Sequence, residues 1–208
     1  RTIIIMKAVE LFNNWVDLGK DDGMERNHTP SVDYMLNLIP PRITNENFRF
    51  LDIGCGNGWV VKKISHMHGC DLAVGIDGAE KMIQKAISND AKSHYLQLDI
   101  NNLDSYNENF DIIFSMEVFY YLNNPQQNIN YLFNNLLNQG GCFIMGIDHY
   151  LENKPSLTWP IDLNVDMLTY SILEWEKMLQ NVGFSNIKIS QFGKNKDWCG
   201  TLVLYGEK

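Results

Sequence analysis

A chain of 208 residues, 45% of them hydrophobic, fits one domain of ordinary size with enough apolar material for a sizeable core. Its formal net charge is −8, and its lysines and arginines are scattered rather than gathered into a stripe, which disfavours nucleic acid as a partner. No apolar run approaches a membrane span, residues 3–5 are too short for a secretory signal, and Cys55, Cys70, Cys142 and Cys199 lack zinc-site spacing, so a cytoplasmic protein with reduced thiols is expected.

The chain begins with Arg1, and Met6 is the expected native start, with residues 1–5 extraneous. Over residues 6–20, Val9, Phe12, Trp15 and Val16 recur at helical spacing and mark an amphipathic helix, followed by a polar break over 21–27. A second helix is predicted to start at Thr29, with Thr29 as cap and Pro30 in the first turn. Val32, Met35, Leu36 and Ile39 form its apolar face, and Pro40 and Pro41 stop it.

Short apolar runs then alternate with amphipathic helices, the signature of a parallel sheet covered on both faces. Strands are predicted over 48–53, 72–76, 94–98, 110–114 and 141–147, and helices over 58–67, 79–88 and 125–137, with only a turn at 103–106. A last helix, 171–181, opens with the capping box Ser171 and Glu174 and closes at Gly183. Strands 187–191 and 200–205 are joined by the turn-rich stretch 193–197, which implies an antiparallel hairpin. The fold class is α/β, and residues 1–208 are read as a single domain, a helical cap (1–47) on a core (48–208).

The first core strand runs into Gly54, Cys55, Gly56, Asn57 and Gly58, and a helix follows at Trp59. Glycines at such a turn let the backbone approach a ligand closely. The second strand ends in Asp77, whose carboxylate can accept two hydrogen bonds from ribose hydroxyls. Dinucleotide folds favour GxGxxG, whereas here the third glycine falls one residue early and the bulky Trp59 takes the late position, where it would crowd a pyrophosphate.

With LDIGCGNG, GIDGAEKM, LQLDI and FDIIFSMEVFYYL in order, residues 48–122 resemble the class I S-adenosylmethionine-dependent methyltransferases. The resemblance implies a Rossmann-like, doubly wound seven-stranded sheet, mostly parallel, with the last hairpin reversed. It implies S-adenosylmethionine as cofactor and S-adenosylhomocysteine as product. The methionine moiety would lie against Asp52 and the backbone of Gly54, Cys55 and Gly56, with Gly58 closing the loop. Asp77 would hold the ribose, Gly78 and Met82 would flank the adenine, Asp99 would accept from its amine, the Ile100 backbone would meet its edge, and Met116 would lie near the sulfonium.

The sulfonium is already electrophilic, so the protein must mainly align an acceptor and exclude water, which supplies roughly 7 kcal/mol or more in favourable cases. A base would help a protonated acceptor. His149, in the loop after the fifth strand, is the first choice, although a loop histidine bonded to backbone gives the same sequence signal. Tyr121 aligns with the position where relatives place a substrate-facing residue. His28, Tyr120, Asp148, Tyr150, Glu152 and Trp159 are the remaining substrate-side candidates, the N-terminal helices and residues 148–163 forming the acceptor pocket. No metal is expected, because Glu117 alone would not hold one. The leading expectation is methylation of oxygen or nitrogen on a small metabolite by a monomer or homodimer, with no nucleic acid and no membrane. The alternatives are a non-catalytic S-adenosylmethionine-binding module or partner-dependent subunit, an RNA or protein methyltransferase, and a nicotinamide-dependent oxidoreductase.

Overall fold

The computed structural model describes residues 6–208. Residues 1–5, read above as preceding the native start, lie outside the described residues. Helices α1 (Ala8–Asp17), α2 (Asp22–Leu36) and the short α3 (Pro41–Thr44) lead into β1 (Phe48–Ile53), α4 (Trp59–Ser65), β2 (Cys70–Asp77), α5 (Glu80–Asn89), β3 (His94–Gln97) and β4 (Phe110–Met116). A 3-10 turn (Phe119–Tyr121) follows, then α6 (Pro125–Tyr131), β5 (Leu137–Ile147), α7 (Trp159–Asp162), α8 (Ile172–Val182), β6 (Ser185–Phe192) and β7 (Thr201–Glu207).

The seven strands form one sheet in the order β3-β2-β1-β4-β5-β7-β6. β1 to β5 pair in parallel, and β7 lies antiparallel between β5 and β6. The two-residue alternation of β1 decides how the sheet is covered. Phe48 and Phe50 pack with Val32 and Met35 of α2 and Val60 and Ile64 of α4, while Leu51 and Ile53 join Ile129 of α6 and Trp175 and Leu179 of α8. Strand order reverses between β1 and β4, and a crevice opens at their carboxyl ends, where open α/β sheets bind ligands. Among the described residues no helix is long and apolar enough to cross a membrane.

Most predicted elements form within a few residues of the expected places, and the capping box at Ser171 is present. α2 differs. It starts at Asp22, so the expected polar break is helical, and Pro30 lies in its interior. Thr29 is no cap, since its hydroxyl donates to the Glu25 carbonyl one turn back at 2.6 Å. The polar first turns are held by tertiary contacts: Lys85 Nζ lies 2.6 Å from Asp21 and 2.5 Å from Asp22, and Asn57 donates to Asp21 at 3.3 Å. β5 also begins earlier than expected, because Leu137 pairs with Phe110 and Asn138 donates to Asp111.

Candidate functional site

The glycine loop after β1 is folded back onto β2. Gly54 and Cys55 both donate their N–H to the Ile76 carbonyl, at 2.8 and 3.0 Å. Asp77 then clamps the turn: Oδ2 accepts from Gly56 N–H at 2.9 Å and Oδ1 from Ala79 N–H at 2.8 Å. Gly54 has φ +76°, and a Cβ there would stand 2.2 Å from Val118, so both backbone conformation and space require glycine. The amides of this turn are therefore already engaged, and a pyrophosphate would find few free donors.

Beside the loop lies a cleft of about 880 Å³, the open solvent at its mouth included. Gly54, Gly56, Asp77, Gly78 and Met82 form one wall, Asp99 and Ile100 continue it, and Met116, Glu117, Tyr120 and Tyr121 close the far end. Val9, Phe12 and Trp15 of α1 and Met24 and His28 of α2 roof it. The roof is fastened to α5, where Lys81 Nζ lies 2.5 Å from Asp17 and Lys81 N–H donates to Asn13 at 3.0 Å. Phe12 meets Tyr121 edge-on at 5.4 Å between ring centroids.

The cleft is strongly acidic. Burial, then the neighbouring Asp77, pushes the Asp52 carboxyl well above its usual range, and burial raises Asp77 despite its backbone donors. Glu117 is raised well above normal, first by burial and then by the charge of Asp148. Burial lowers His28, with Asp148 opposing. No lysine or arginine lines the cleft among the described residues. Such a site suits a ligand with hydroxyl donors and a positive centre better than one carrying phosphates, and the ribose and sulfonium of S-adenosylmethionine fit that description.

A family model described as a methyltransferase domain matches residues 44–183. The chain belongs to the class I S-adenosylmethionine-dependent methyltransferase family. It is 30% identical over 162 residues to the tRNA U34 carboxymethyltransferase of Aliivibrio salmonicida, a match covering 73% of this chain and 49% of that protein. The chain thus spans about half the length of the curated relative it matches. Its fold resembles that of the methyltransferase in complex with the Trm112 methyltransferase activator of Haloferax volcanii, with a TM-score of 0.81 at 23% identity, covering 98% of this chain and 99% of the other. It also resembles an S-adenosylmethionine-dependent methyltransferase from Thermotoga maritima, with a TM-score of 0.74 at 17% identity, covering 96% and 98% of the two chains.

Of the expected cofactor residues in this methyltransferase, Gly54, Gly56, Asp77, Gly78, Met82, Asp99, Ile100 and Met116 line the one cleft. Asp52 and Cys55 lie behind it, 2% and 5% exposed, and Cys55 packs with Val61, Ala73 and Ile83. Gly58 is a packing residue, since a Cβ there would lie 2.6 Å from the Tyr95 ring. On the acceptor side, His28, Tyr120 and Tyr121 line the cleft, whereas residues 148–163 contribute no lining residue.

His149 is fully buried, and its ring nitrogens are taken by the Ser156 carbonyl at 2.9 Å and the Thr169 hydroxyl at 2.8 Å, which leaves neither for an acceptor. Trp159 stacks on His149 and Trp198. Tyr150 donates to Gly200 in the core, and Glu152 accepts from the N–H of Ile172 at the start of α8. Asp148 sits behind Glu117, to which its N–H donates. The sequence reading named Glu117 only as an insufficient metal ligand, and it placed the N-terminal helices over the pocket without naming Val9, Phe12 or Trp15 as lining residues. The stripe Val9, Phe12 and Trp15 was visible as an apolar face, but nothing local says what that face covers.

The expected partners require a correction as well. A small-molecule acceptor, no nucleic acid and a chain acting as monomer or homodimer do not stand against a curated relative named for tRNA and a matching structure solved with an activator protein. Net charge could not decide the partner, because it averages over a whole surface. It is silent on contacts supplied by other segments or other chains.

Proposed function

We propose that this methyltransferase transfers the methyl group of S-adenosylmethionine to a nucleotide of RNA, with tRNA the first candidate. The observation that carries the donor half is the single cleft in which the glycine loop, Asp77 and Asp99 meet Met116, Glu117 and Tyr121. The acceptor half is supported by the relative named for tRNA U34. A cytoplasmic location goes with this reading.

When bound, S-adenosylmethionine supplies an electrophilic methyl on a sulfonium. Asp77, fixed by the amides of Gly56 and Ala79, keeps lone pairs for the ribose diol, and Asp99 stands at the adenine end. Phe12 and Trp15 exclude water from the far end, where alignment of the acceptor sets the rate. Plain methyl is favoured over carboxymethyl transfer, because Glu117 and the absence of lysine or arginine among the described lining residues disfavour an added carboxylate at the transferred carbon. With a net charge of −8, the grip on phosphates falls to a partner protein or to sequence outside this chain.

The test is transfer of tritium from methyl-labelled S-adenosylmethionine to total tRNA, with and without an activator protein of the Trm112 type. Label in tRNA, sensitive to ribonuclease, is the expected result. Label appearing in a ribonuclease-resistant small-molecule fraction of a cell extract, with none in RNA, would reject the RNA half. Failure to bind S-adenosylhomocysteine by calorimetry would reject the donor half.

A further inference from the structure

We propose that Glu117 is the catalytic base of this site, accepting the proton of the methyl acceptor, with Tyr120 and the Asp148 amide holding its carboxylate in place. The proposal rests on the methyl-transfer reading above. Glu117 is the first residue past β4, at the carboxyl edge of the sheet, and it lines the far end of the cleft beside Met116 and Tyr121.

Its backbone stands at φ +61°. Among the described residues the other non-glycine positions with positive φ are Asn164 and Asn186, and asparagine tolerates that region far better than glutamate. Such strain persists where the surroundings over-determine a conformation, and it clusters at functional sites. The surroundings here are two donors. Tyr120 gives its hydroxyl proton to Oε2 at 2.7 Å, and the Asp148 N–H donates to Oε1. A carboxylate has about four acceptor positions, so two are left for the cleft.

The groups facing Glu117 decide its proton affinity. Burial, and then the like charge of Asp148 at the end of β5, push the Glu117 carboxyl well above its usual range, which makes its carboxylate a stronger base. Tyr120 and Tyr121 come from the 3-10 turn, and both are raised by burial, so they remain protonated donors. His28, from α2, is lowered by burial and does not neutralise the carboxylate near pH 7.

The proton balance is closed. An acceptor O–H or N–H forms a bond from its lone pair to the methyl carbon while the carbon–sulfur pair returns to sulfur, leaving a neutral thioether. The acceptor's proton passes to Glu117, which becomes a neutral carboxylic acid until water removes it.

Glu117→Gln preserves the side-chain shape and an oxygen for the Asp148 amide but cannot take the proton. Two measurements test it, with thermal melting confirming that the variant folds. The first needs no acceptor: calorimetric titration with S-adenosylhomocysteine and with sinefungin, which carries an amine where the methyl stands. The wild-type protein is expected to prefer sinefungin by tenfold or more, and Glu117→Gln to lose that preference while its S-adenosylhomocysteine affinity stays within twofold. An unchanged ratio would mean that Glu117 does not face the methyl, and would overturn the proposal.

The second is the pH profile of label transfer to total tRNA. Glu117→Gln should lower kcat about 100-fold or more and remove the acid limb. Turnover within twofold of wild type across the profile, or an acid limb kept by Glu117→Gln and abolished by His28→Asn, would overturn the proposal. A wild-type protein that labels no RNA defeats the acceptor reading instead, and the binding ratio still decides the role of Glu117.

Discussion

Asp77 fixes the loop with one carboxylate, and in the proposed reading the same group also holds the ribose. Both oxygens accept backbone N–H bonds that fix the glycine turn, and their remaining lone pairs face the cleft. Asp77→Asn keeps one acceptor and turns an amide N–H against a backbone donor, so calorimetry should show S-adenosylhomocysteine bound about 10 to 100 times more weakly, on the order of 1.5–3 kcal/mol. An affinity equal to wild type would remove Asp77 from the ribose site. His149 should behave in the opposite way. With its ring fully buried and both nitrogens bonded, His149→Ala should lower the melting temperature through a loss of about 2–4 kcal/mol and leave S-adenosylhomocysteine affinity unchanged.

Glu117 also makes a prediction about stability and pH. Its folded-state pKa is raised, so its contribution is most favourable when it is protonated at low pH and is lost as pH rises through the folded value. Glu117→Gln should therefore melt progressively higher than wild type as pH is raised from about 5 to 8, scanned by fluorescence. A melting difference that narrows over that range would contradict the sign. The sequence pointed to the residue type through Ser115-Met116-Glu117, yet only as a weak metal ligand. Its role depends on donors from Tyr120 and Asp148, and the latter is far away in the chain.

At the scale of elements, α1 makes the cleft a site rather than a groove. Its ion pair between Lys81 and Asp17 is nearly half exposed on both sides and contributes little in water. The aromatic contact of Phe12 with Trp15 and Tyr121 matters more. Phe12→Ala should raise the dissociation rate of S-adenosylhomocysteine about fivefold in stopped-flow measurements, the size expected for lost aromatic packing of about 1 kcal/mol. Lys81→Ala should change it by less than twofold. β1 and α8 were legible to the residue or nearly so, because apolar alternation and a capping box are local. α2 was not. Its first turns read as a polar break, and they are helical because Lys85 and Asn57, from other elements, bind Asp21 and Asp22.

For the whole molecule, the acidic surface and the RNA reading are compatible only if another surface binds the phosphates. Label transfer to tRNA should then be weak for the chain alone and should fall steeply with salt once an activating partner is present, measured between 50 and 200 mM salt. Salt-independent transfer by the isolated chain would show that phosphate contacts play no part. The sequence by itself determined the sheet and the glycine-loop end of the cleft, because a strand, a glycine turn and a carboxylate at the next strand end are set by neighbours within about one βαβ unit. Only the tertiary structure decided the opposite end, proposed above as the acceptor side. Phe12, His28, Glu117 and Tyr121 come from separate elements, and their common cleft exists only once α1 and α2 close over the edge where β1 and β4 part. The same packing removed His149 from the chemistry, since the burial that fixes its ring leaves it no free nitrogen.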